Sequence, residues 1–257
     1  MRATPVGELL REWRERRRLS QLALSAEASV STRHLSFVET GRSAPSRELI
    51  LHLSRQLEVP LRERNRLLLA AGYAPVYAET ALDEPRMAAA RAAVRQVLTS
   101  HEPYPAVVVD RAWHMVDANS SVRLLTDLVS PHLLAPPANV LRVSLHPDGL
   151  APHIHNLPEW RAHLLGRLER QLSLTGDPAL AALRDELVAY PGGGDAPDVE
   201  LPGPGEIVVP LRVVVAGREL SFISTIATFG TPLDVTLAEL SIESFYPADD
   251  TTTLALR

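Results

Sequence analysis

Side chains that can bind a metal ion are concentrated in residues 146–163 of this sequence. The stretch contains five ligand-type side chains: His146, Asp148, His153, His155 and His163. Protein metal sites hold such ligands at characteristic intervals, as on the H-E-x-x-H helix of zinc enzymes. No comparable interval occurs here, so we expect neither a metal centre nor a haem ligand in this stretch.

Signatures of enzyme catalysis are also missing from the sequence. It has no cysteine that could act as a nucleophile and no G-x-S-x-G motif. Three glycines at 192–194 follow Pro191, but no Lys-Ser pair completes a phosphate-binding loop. We therefore expect a protein that is not an enzyme and carries no catalytic cofactor.

Length and composition narrow the class of protein. The 257 residues are many for one compact domain, and 46% hydrophobic with 22% charged residues is typical of globular proteins. The first residues do not resemble a signal peptide, and no stretch approaches the roughly 18 apolar residues of a membrane span. We expect a soluble cytoplasmic protein with at least two domains and no membrane association.

The charge is distributed unevenly between the two parts of the chain. Residues 1–72 contain 13 arginines and 8 glutamates, a formal charge of +5, whereas the remainder carries −10 and the whole chain −5. A small basic domain attached to an acidic body favours a polyanionic partner for the basic part.

Residues 5–72 show the apolar spacing of helices throughout. Ser20 and Ser31 are candidates for helix N-caps, Ser46 opens a further helix, and Gly41 and Pro60 are typical stops. The pattern predicts five short helices, including 21–27, 32–40 and 61–71, and therefore an all-α domain over residues 1–72.

Within this domain, LSQLA at 19–23, VS at 30–31, VETGR at 38–42 and PS at 45–46 resemble the lambda-repressor-like (XRE) helix-turn-helix family. The resemblance implies that Ala23 lets two helices cross closely and that Leu22, Leu35 and Val38 are buried. It also implies an ion pair between Arg14 and Glu39. A plain helical bundle, or a variant of the fold that binds protein, is the alternative.

The same resemblance implies a binding surface for double-stranded DNA. The second helix of such motifs enters the major groove with its N-terminal residues. Ser31 caps this helix, and Thr32, Arg33, Ser36 and Phe37 would approach the bases, where an arginine can bond guanine with two donors. The phosphates of the DNA backbone would be contacted by Gln21, Thr40 and Arg42. Family members usually act as dimers on paired half-sites, so a homodimer is expected.

The rest of the chain changes from helical to mixed patterning. Residues 73–102 are predicted to be a connector with a helix over 86–99, and residues 103–257 a second domain. Short strands are expected at 105–110 and 113–116, helices at 119–130 and 152–190, a loop rich in glycine and proline at 191–205, and strands at 206–216, 218–229 and 237–245. This order predicts a five-stranded antiparallel sheet covered on one face by helices, with a pocket between them.

Several stretches of the second domain resemble the MmyB-like regulators, whose ligand domain is similar to PAS domains: HEPYPA at 101–106, VVDRAW at 108–113, DAN at 117–119, LHPDGL at 145–150 and TFGTPLDVTLAEL at 228–240. The fold class expected is therefore multidomain, with a five-helix lambda-repressor-like domain followed by an α+β PAS-like domain. The resemblance implies a small hydrophobic effector, for example a long-chain fatty acid.

A fatty-acid site needs an apolar cavity and one polar end. Its apolar wall is expected from Val107, Leu125, Trp160, Phe222 and Ile226, which would otherwise be ordinary core. His153, Asn156 and Arg161 are candidates for the carboxylate, since charge-assisted hydrogen bonds are strong. The leading hypothesis is an effector-responsive transcription regulator, and the alternative is a DNA-tethered scaffold whose second domain binds a partner protein.

Overall fold

A computed structural model describes residues 5–192 and 208–256 of the chain. The chain divides into two compact units. The helical unit comprises Met1–Thr80 and Thr231–Ala238, and the sheet unit comprises Ala81–Gly230 and Glu239–Arg257. By this division the chain passes from one unit to the other three times.

The described helices are, in chain order, α1 (Val6–Arg16), α2 (Gln21–Glu27), α3 (Thr32–Glu39), α4 (Arg47–Gln56), α5 (Leu61–Ala70), α6 (Ala88–Ser100), α7 (Arg123–Thr126), α8 (Pro131–Leu134), α9 (Val140–Leu145), α10 (Leu157–Thr175), α11 (Pro178–Ala189), α12 (Val235–Ala238) and α13 (Asp250–Ala255). Single 3-10 turns lie at Pro85–Met87, Ser120–Val122 and Ala151–His153. The strands are β1 (Ala106–Val109), β2 (Met115–Ala118), β3 (Leu211–Val215), β4 (Arg218–Thr228) and β5 (Ser241–Pro247).

The first five helices lie where the sequence predicts them, and serine caps begin three of them, α2, α3 and α4. The side chains of Ser20, Ser31 and Ser46 each accept a hydrogen bond from the backbone amide three residues further on. Gly41 adopts a φ of 72° just beyond α3, which only glycine does without strain. The expected all-α domain is confirmed.

One expected core position of the helical unit is wrong. Leu22 is 70% exposed, whereas Leu24 is buried together with Leu35 and Val38. Positions two apart on a helix do not share a face, so only one of the two leucines of α2 can point inward. Leu24 and Ala28, four residues apart, form the buried face.

The segment 231–238 belongs structurally to the helical unit. Val235 is fully buried, and its amide donates to the carbonyl of Ala78 at 2.8 Å. The carboxylate of Asp234 accepts from the hydroxyl of Thr80 at 2.6 Å and from the amide of Thr236 at 2.9 Å. The predicted strand at 237–245 is therefore wrong in its first residues, because Asp234 starts the short helix α12 and β5 begins only at Ser241.

The sheet unit contains the expected five-stranded antiparallel sheet, in the order β2-β1-β5-β4-β3. Ala216 and Gly217 both have positive φ and close the hairpin between β3 and β4, as the sequence predicts. The predicted strand at 206–216 is described from Leu211 onward, since 206–207 lie outside the described residues. Residues 193–205 of the predicted loop also lie outside them.

Helices α7 to α11 supply the main core of the sheet unit. The single helical stretch expected at 152–190 is two helices, because Gly176 ends α10 with a φ of 64° and Asp177 caps α11. Val107 and Val109 of β1 join this core, whereas Val108 between them faces the other side of the sheet. No helix within the described ranges is both long and apolar enough to span a membrane.

Candidate functional sites

The outward face of α3 presents the residues expected to contact DNA. Thr32 and Arg33 are exposed, and Ser36 and Phe37, one turn further on, are partly exposed. The opposite face of the helix is buried in the core of the helical unit. Residues at i, i+1, i+4 and i+5 share one side of a helix, so these four side chains form a single surface.

Cation–π contacts organise the exposed end of this surface. The guanidinium groups of Arg33 and Arg42 lie 5.3 and 5.9 Å from the centre of the Phe37 ring. Thr40 is exposed just beyond the helix, and its hydroxyl donates to the carbonyl of Ser36 at 2.7 Å. Two cations are thereby held at the exposed end of the surface, where Arg33 is expected to reach a base and Arg42 a phosphate.

A buried ion pair fixes the surface to α1. Arg14 donates to both carboxylate oxygens of Glu39, at 2.7 and 2.9 Å, and to the carbonyl of Leu19 at 2.8 Å. The hydrogen bond from Arg14 to Glu39 raises the pKa of the arginine, against the opposing effect of burial. The pair implied by the family resemblance is confirmed. Gln21 donates to the same carboxylate at 2.8 Å, and its expected phosphate contact stays a prediction.

Glycine allows α1 to approach α3 this closely. A Cβ atom at Gly7 would lie 2.3 Å from the carbonyl oxygen of Val38 and 2.9 Å from that of Glu39. No side chain fits in that space, so the orientation of α3 depends on Gly7.

The apolar residues expected in the effector site lie mostly in the main core of the sheet unit. Val107, Leu125, Trp160 and Phe222 are buried in one continuous cluster. The indole of Trp160 donates to the hydroxyl of Ser144 at 3.0 Å. Ile226 of β4 is 49% exposed.

Two of the residues expected to bind the carboxylate of an effector, Asn156 and Arg161, form hydrogen bonds with backbone groups of the protein. The amide of Asn156 donates to the carbonyl of Pro210 at 2.9 Å and accepts from the amide of Arg212 at 3.1 Å. Arg161 donates to carbonyl groups at the end of α11, including Leu187 and Val188. His153 lies in a 3-10 turn and is partly buried. Their role towards an effector stays a prediction.

A cavity of about 510 Å³ lies elsewhere in the sheet unit, where α6 packs beside β1 and β2. Its lining is mainly apolar, with four charged side chains among the residues that form it: Leu82, Asp83, Ala88, Arg91, Ala92, Val94, Arg95, Val108, Val116, Asp117 and Leu240. None of them is among the residues that the sequence predicts for the effector site. The signal that could have found them is the apolar spacing of α6, whose buried Val94 and Leu98 need a surface to cover.

Arg91 and Arg95 stand four residues apart on one face of α6. Arg91 donates to the carbonyl groups of Leu82 and Glu84. Arg95 pairs with Asp117 at 2.7 Å in a partly exposed position. Both arginines therefore lie beside the apolar space, Arg91 bonded to backbone carbonyls and Arg95 paired with a carboxylate.

Residues 90–257 match the model of the MmyB-like transcription regulator ligand binding domain, and residues 10–64 match a helix-turn-helix model. The chain belongs to the MmyB-like transcription regulators. It is a DNA-binding transcription regulator that carries a ligand-binding domain. No curated protein matches the chain.

The two family matches of this MmyB-like regulator cover most residues of both candidate sites. All residues expected to contact DNA lie inside the matched helix-turn-helix segment. The ligand-binding match begins inside α6 and therefore includes most of the cavity wall, from Arg91 and Arg95 to Leu240. Both matched families are regulatory domains, which agrees with the lack of catalytic motifs in the sequence.

Proposed function

We propose that this MmyB-like regulator senses a small hydrophobic molecule with an anionic end, such as a long-chain fatty acid. The cavity beside α6 is the observation that supports this effector class. Small-molecule sites in proteins usually measure about 300–1,000 Å³ and have apolar walls with few polar groups. A cavity of about 510 Å³ lies within that range.

Two arginines and two aspartates line the cavity, and Arg91, whose hydrogen bonds go to backbone carbonyls, is the cation that favours an effector with an anionic end. Arginine binds carboxylates with two parallel hydrogen bonds, and two arginines face the cavity from α6. The Arg95–Asp117 pair is partly exposed, and exposed ion pairs contribute little stability, so an effector carboxylate can replace it. Val94, Val108 and Leu240 supply apolar wall for the hydrocarbon chain.

The cavity also suggests how an effector acts on DNA binding. Leu82 and Asp83 follow directly after the chain leaves the helical unit at Thr80, and Leu240 follows soon after it leaves that unit again at Ala238. An occupant would contact both connections and α6, the expected relay. If it binds two arrangements with different affinity, it shifts the equilibrium between them. We propose that the regulator binds DNA as a homodimer and that this shift changes its operator affinity.

The test is organic extraction of untreated full-length protein followed by mass spectrometry. Ala92→Trp should fill the cavity, whereas Ala93→Trp, on the next position of the same helix and outside the lining, is the matched control. We expect a fatty acid or similar lipid in stoichiometric amount from the wild type and from the Ala93 variant only. An empty extract, and no binding of added fatty acids, would instead favour the scaffold that binds a partner protein.

A further inference from the structure

We propose that His132, His146 and Asp148 form a binding site for a divalent transition-metal ion. One ligand atom from each side chain lies within 4.8 Å of the others. The Oδ2 atom of Asp148 is 3.9 Å from Nδ1 of His146 and 4.0 Å from Nε2 of His132. Tetrahedral zinc with bonds of about 2.0–2.2 Å spaces its ligands roughly 3.3–3.6 Å apart, so small side-chain rotations would suffice.

Well-ordered backbone carries all three ligands. His146 directly follows α9, and the amide of Gly149 donates to its carbonyl at 2.8 Å. A Cβ atom at Gly149 would lie 2.3 Å from the carbonyl oxygen of Val143, so the turn requires glycine. The amide of Ser130 donates to the carbonyl of Asp148 at 3.0 Å, which ties this turn to the start of α8, where His132 lies. The site needs little ordering when an ion binds.

The Nδ1 atom of His146 faces the turn that carries Asp148. The amide of Asp148 donates to this atom at 3.0 Å, so a lone pair of His146 points towards the carboxylate of the same turn. A bound ion would replace this amide hydrogen bond. The side chain of Asp148 is 59% exposed and free to turn towards the ion.

The donor set selects the class of ion. Two imidazoles with one carboxylate suit Zn²⁺, Ni²⁺, Co²⁺ or Cu²⁺, whereas Mg²⁺ and Ca²⁺ prefer oxygen ligands alone. The side chains of His132 and Asp148 are about 60% exposed, so water can complete the coordination and the ion can exchange.

The site is separate from the effector cavity and does not depend on the proposed effector. None of its three ligands lines that cavity. The ring of His146 packs edge-on against that of Tyr190 at 5.0 Å, and the hydroxyl of Tyr190 donates to Glu186. An ion would therefore stabilise the loops around α9 together with the end of α11, giving the ligand-binding domain a second input.

The experiment uses full-length, untagged protein freed of metal with a chelator and titrated with ZnCl₂ or NiCl₂ by calorimetry. We expect one ion per chain and a rise in the thermal midpoint, because the ion binds ligands that only the folded state brings together. His132→Ala and Asp148→Asn should each weaken binding at least about tenfold, since even outer-shell changes cost roughly 10–100-fold.

His155→Ala is the matched control, because His155 is also exposed but pairs with Glu219 outside the cluster. It should bind as the wild type does. The proposal is overturned if neither ion binds, or if both ligand variants bind as the wild type does. Far-UV circular dichroism of each variant separates loss of ligands from loss of fold.

Discussion

At the scale of single residues, the charges of the helical unit differ sharply in what they contribute. Arg14 and Glu39 are buried and joined by two hydrogen bonds, whereas Arg11 and Glu15 form an exposed pair on α1. Breaking a buried pair leaves one charge without compensation, whereas an exposed pair is screened by water.

The first prediction concerns this contrast. Glu39→Ala leaves the guanidinium of Arg14 buried without its carboxylate and should lower the free energy of unfolding by about 3–5 kcal/mol. Urea denaturation followed by circular dichroism measures the change. Glu12→Ala, which removes an exposed pair with Arg16 on the same helix, is the control and should unfold nearly as the wild type does; Glu15 is unsuitable because it lies 3.7 Å from Arg14. Similar midpoints for the two variants would contradict the structural role of the buried pair.

The second prediction concerns base recognition by Arg33. Arg33→Ala should weaken operator binding by about 1–3 kcal/mol and relax the preference at one base pair, because a bidentate contact to guanine is lost. Arg42→Ala should weaken binding to all sequences alike and reduce its salt dependence, as expected for a phosphate contact. Fluorescence anisotropy with a selected operator and single-base variants measures both. Unchanged sequence preference in the Arg33 variant excludes it as a base contact.

The third prediction concerns Tyr190 at alkaline pH. Burial first, and then its hydrogen bond to Glu186, raise the pKa of Tyr190 to about 12 from an ordinary 10. The folded state therefore keeps a proton that the unfolded state loses, so this contribution to stability is complete below pH 10 and is lost as the pH rises towards 12. All 26 basic residues are arginine, so no lysine titrates in that range.

The measurement is the free energy of unfolding between pH 9 and 12, with tyrosinate absorbance recorded alongside. Tyr190→Phe should remove the decrease due to this residue. Tyr246→Phe, at a 44% exposed ring, is the control and should retain it. An identical alkaline profile for wild type and Tyr190→Phe would contradict the assignment.

At the scale of elements, how closely two helices pack depends on where glycine, which has no side chain, lies between them. Gly7 in α1 meets the carbonyl groups of α3 directly, whereas Gly166 in α10 has only the far end of the Arg170 side chain within 4 Å. The same residue type therefore has different consequences on two helices.

The fourth prediction compares these two glycines. Gly7→Ala should destabilise the protein by about 1–3 kcal/mol and weaken DNA binding, because α3 must move away from α1. Gly166→Ala should be neutral or stabilise by up to about 1 kcal/mol, since alanine is the better helix former. Thermal unfolding and operator titration of both variants test this. If Gly7→Ala is as stable as the wild type, α1 and α3 do not pack as described.

At the scale of the whole molecule, the chain order and the structural units do not coincide. Residues 231–238 lie between two strands of the sheet in sequence, yet they complete the helical unit through Asp234, Thr80 and Val235. The segment links the ligand-binding sheet to the DNA-binding helices by covalent connections at both of its ends.

The fifth prediction tests this arrangement. Asp234→Ala removes the bonds to Thr80 and Thr236, so the amides of these residues and of Val235 should exchange hydrogen faster, by at least about tenfold. Amides of β1 and β5 serve as the internal control and should be unaffected. Hydrogen exchange read by mass spectrometry resolves the two regions. Equal exchange in the 231–238 segment before and after substitution would show that Asp234 does not hold it.

The sequence by itself determined what depends on neighbouring residues. Serine caps, glycine stops, the Ala216-Gly217 turn and the motif around α3 act within a few positions, so the five helices, the β3–β4 hairpin and the face of α3 were predictable. Arg14 and Glu39 were paired through the family resemblance.

Only the tertiary structure decided which of two similar residues is buried and which segments meet. Leu24 rather than Leu22 points inward because it packs with Leu35 and Val38 of α3. Residues 231–238 join the helical unit because Asp234 bonds Thr80 at a separation of 154 residues. The cavity beside α6 is likewise built from segments distant in sequence, from Leu82 to Leu240, and the His132–His146–Asp148 cluster depends on the turns that bring α8 beside the end of α9. Such contacts depend on how elements pack in space, and the periodicity of apolar residues along the chain does not encode which elements pack together.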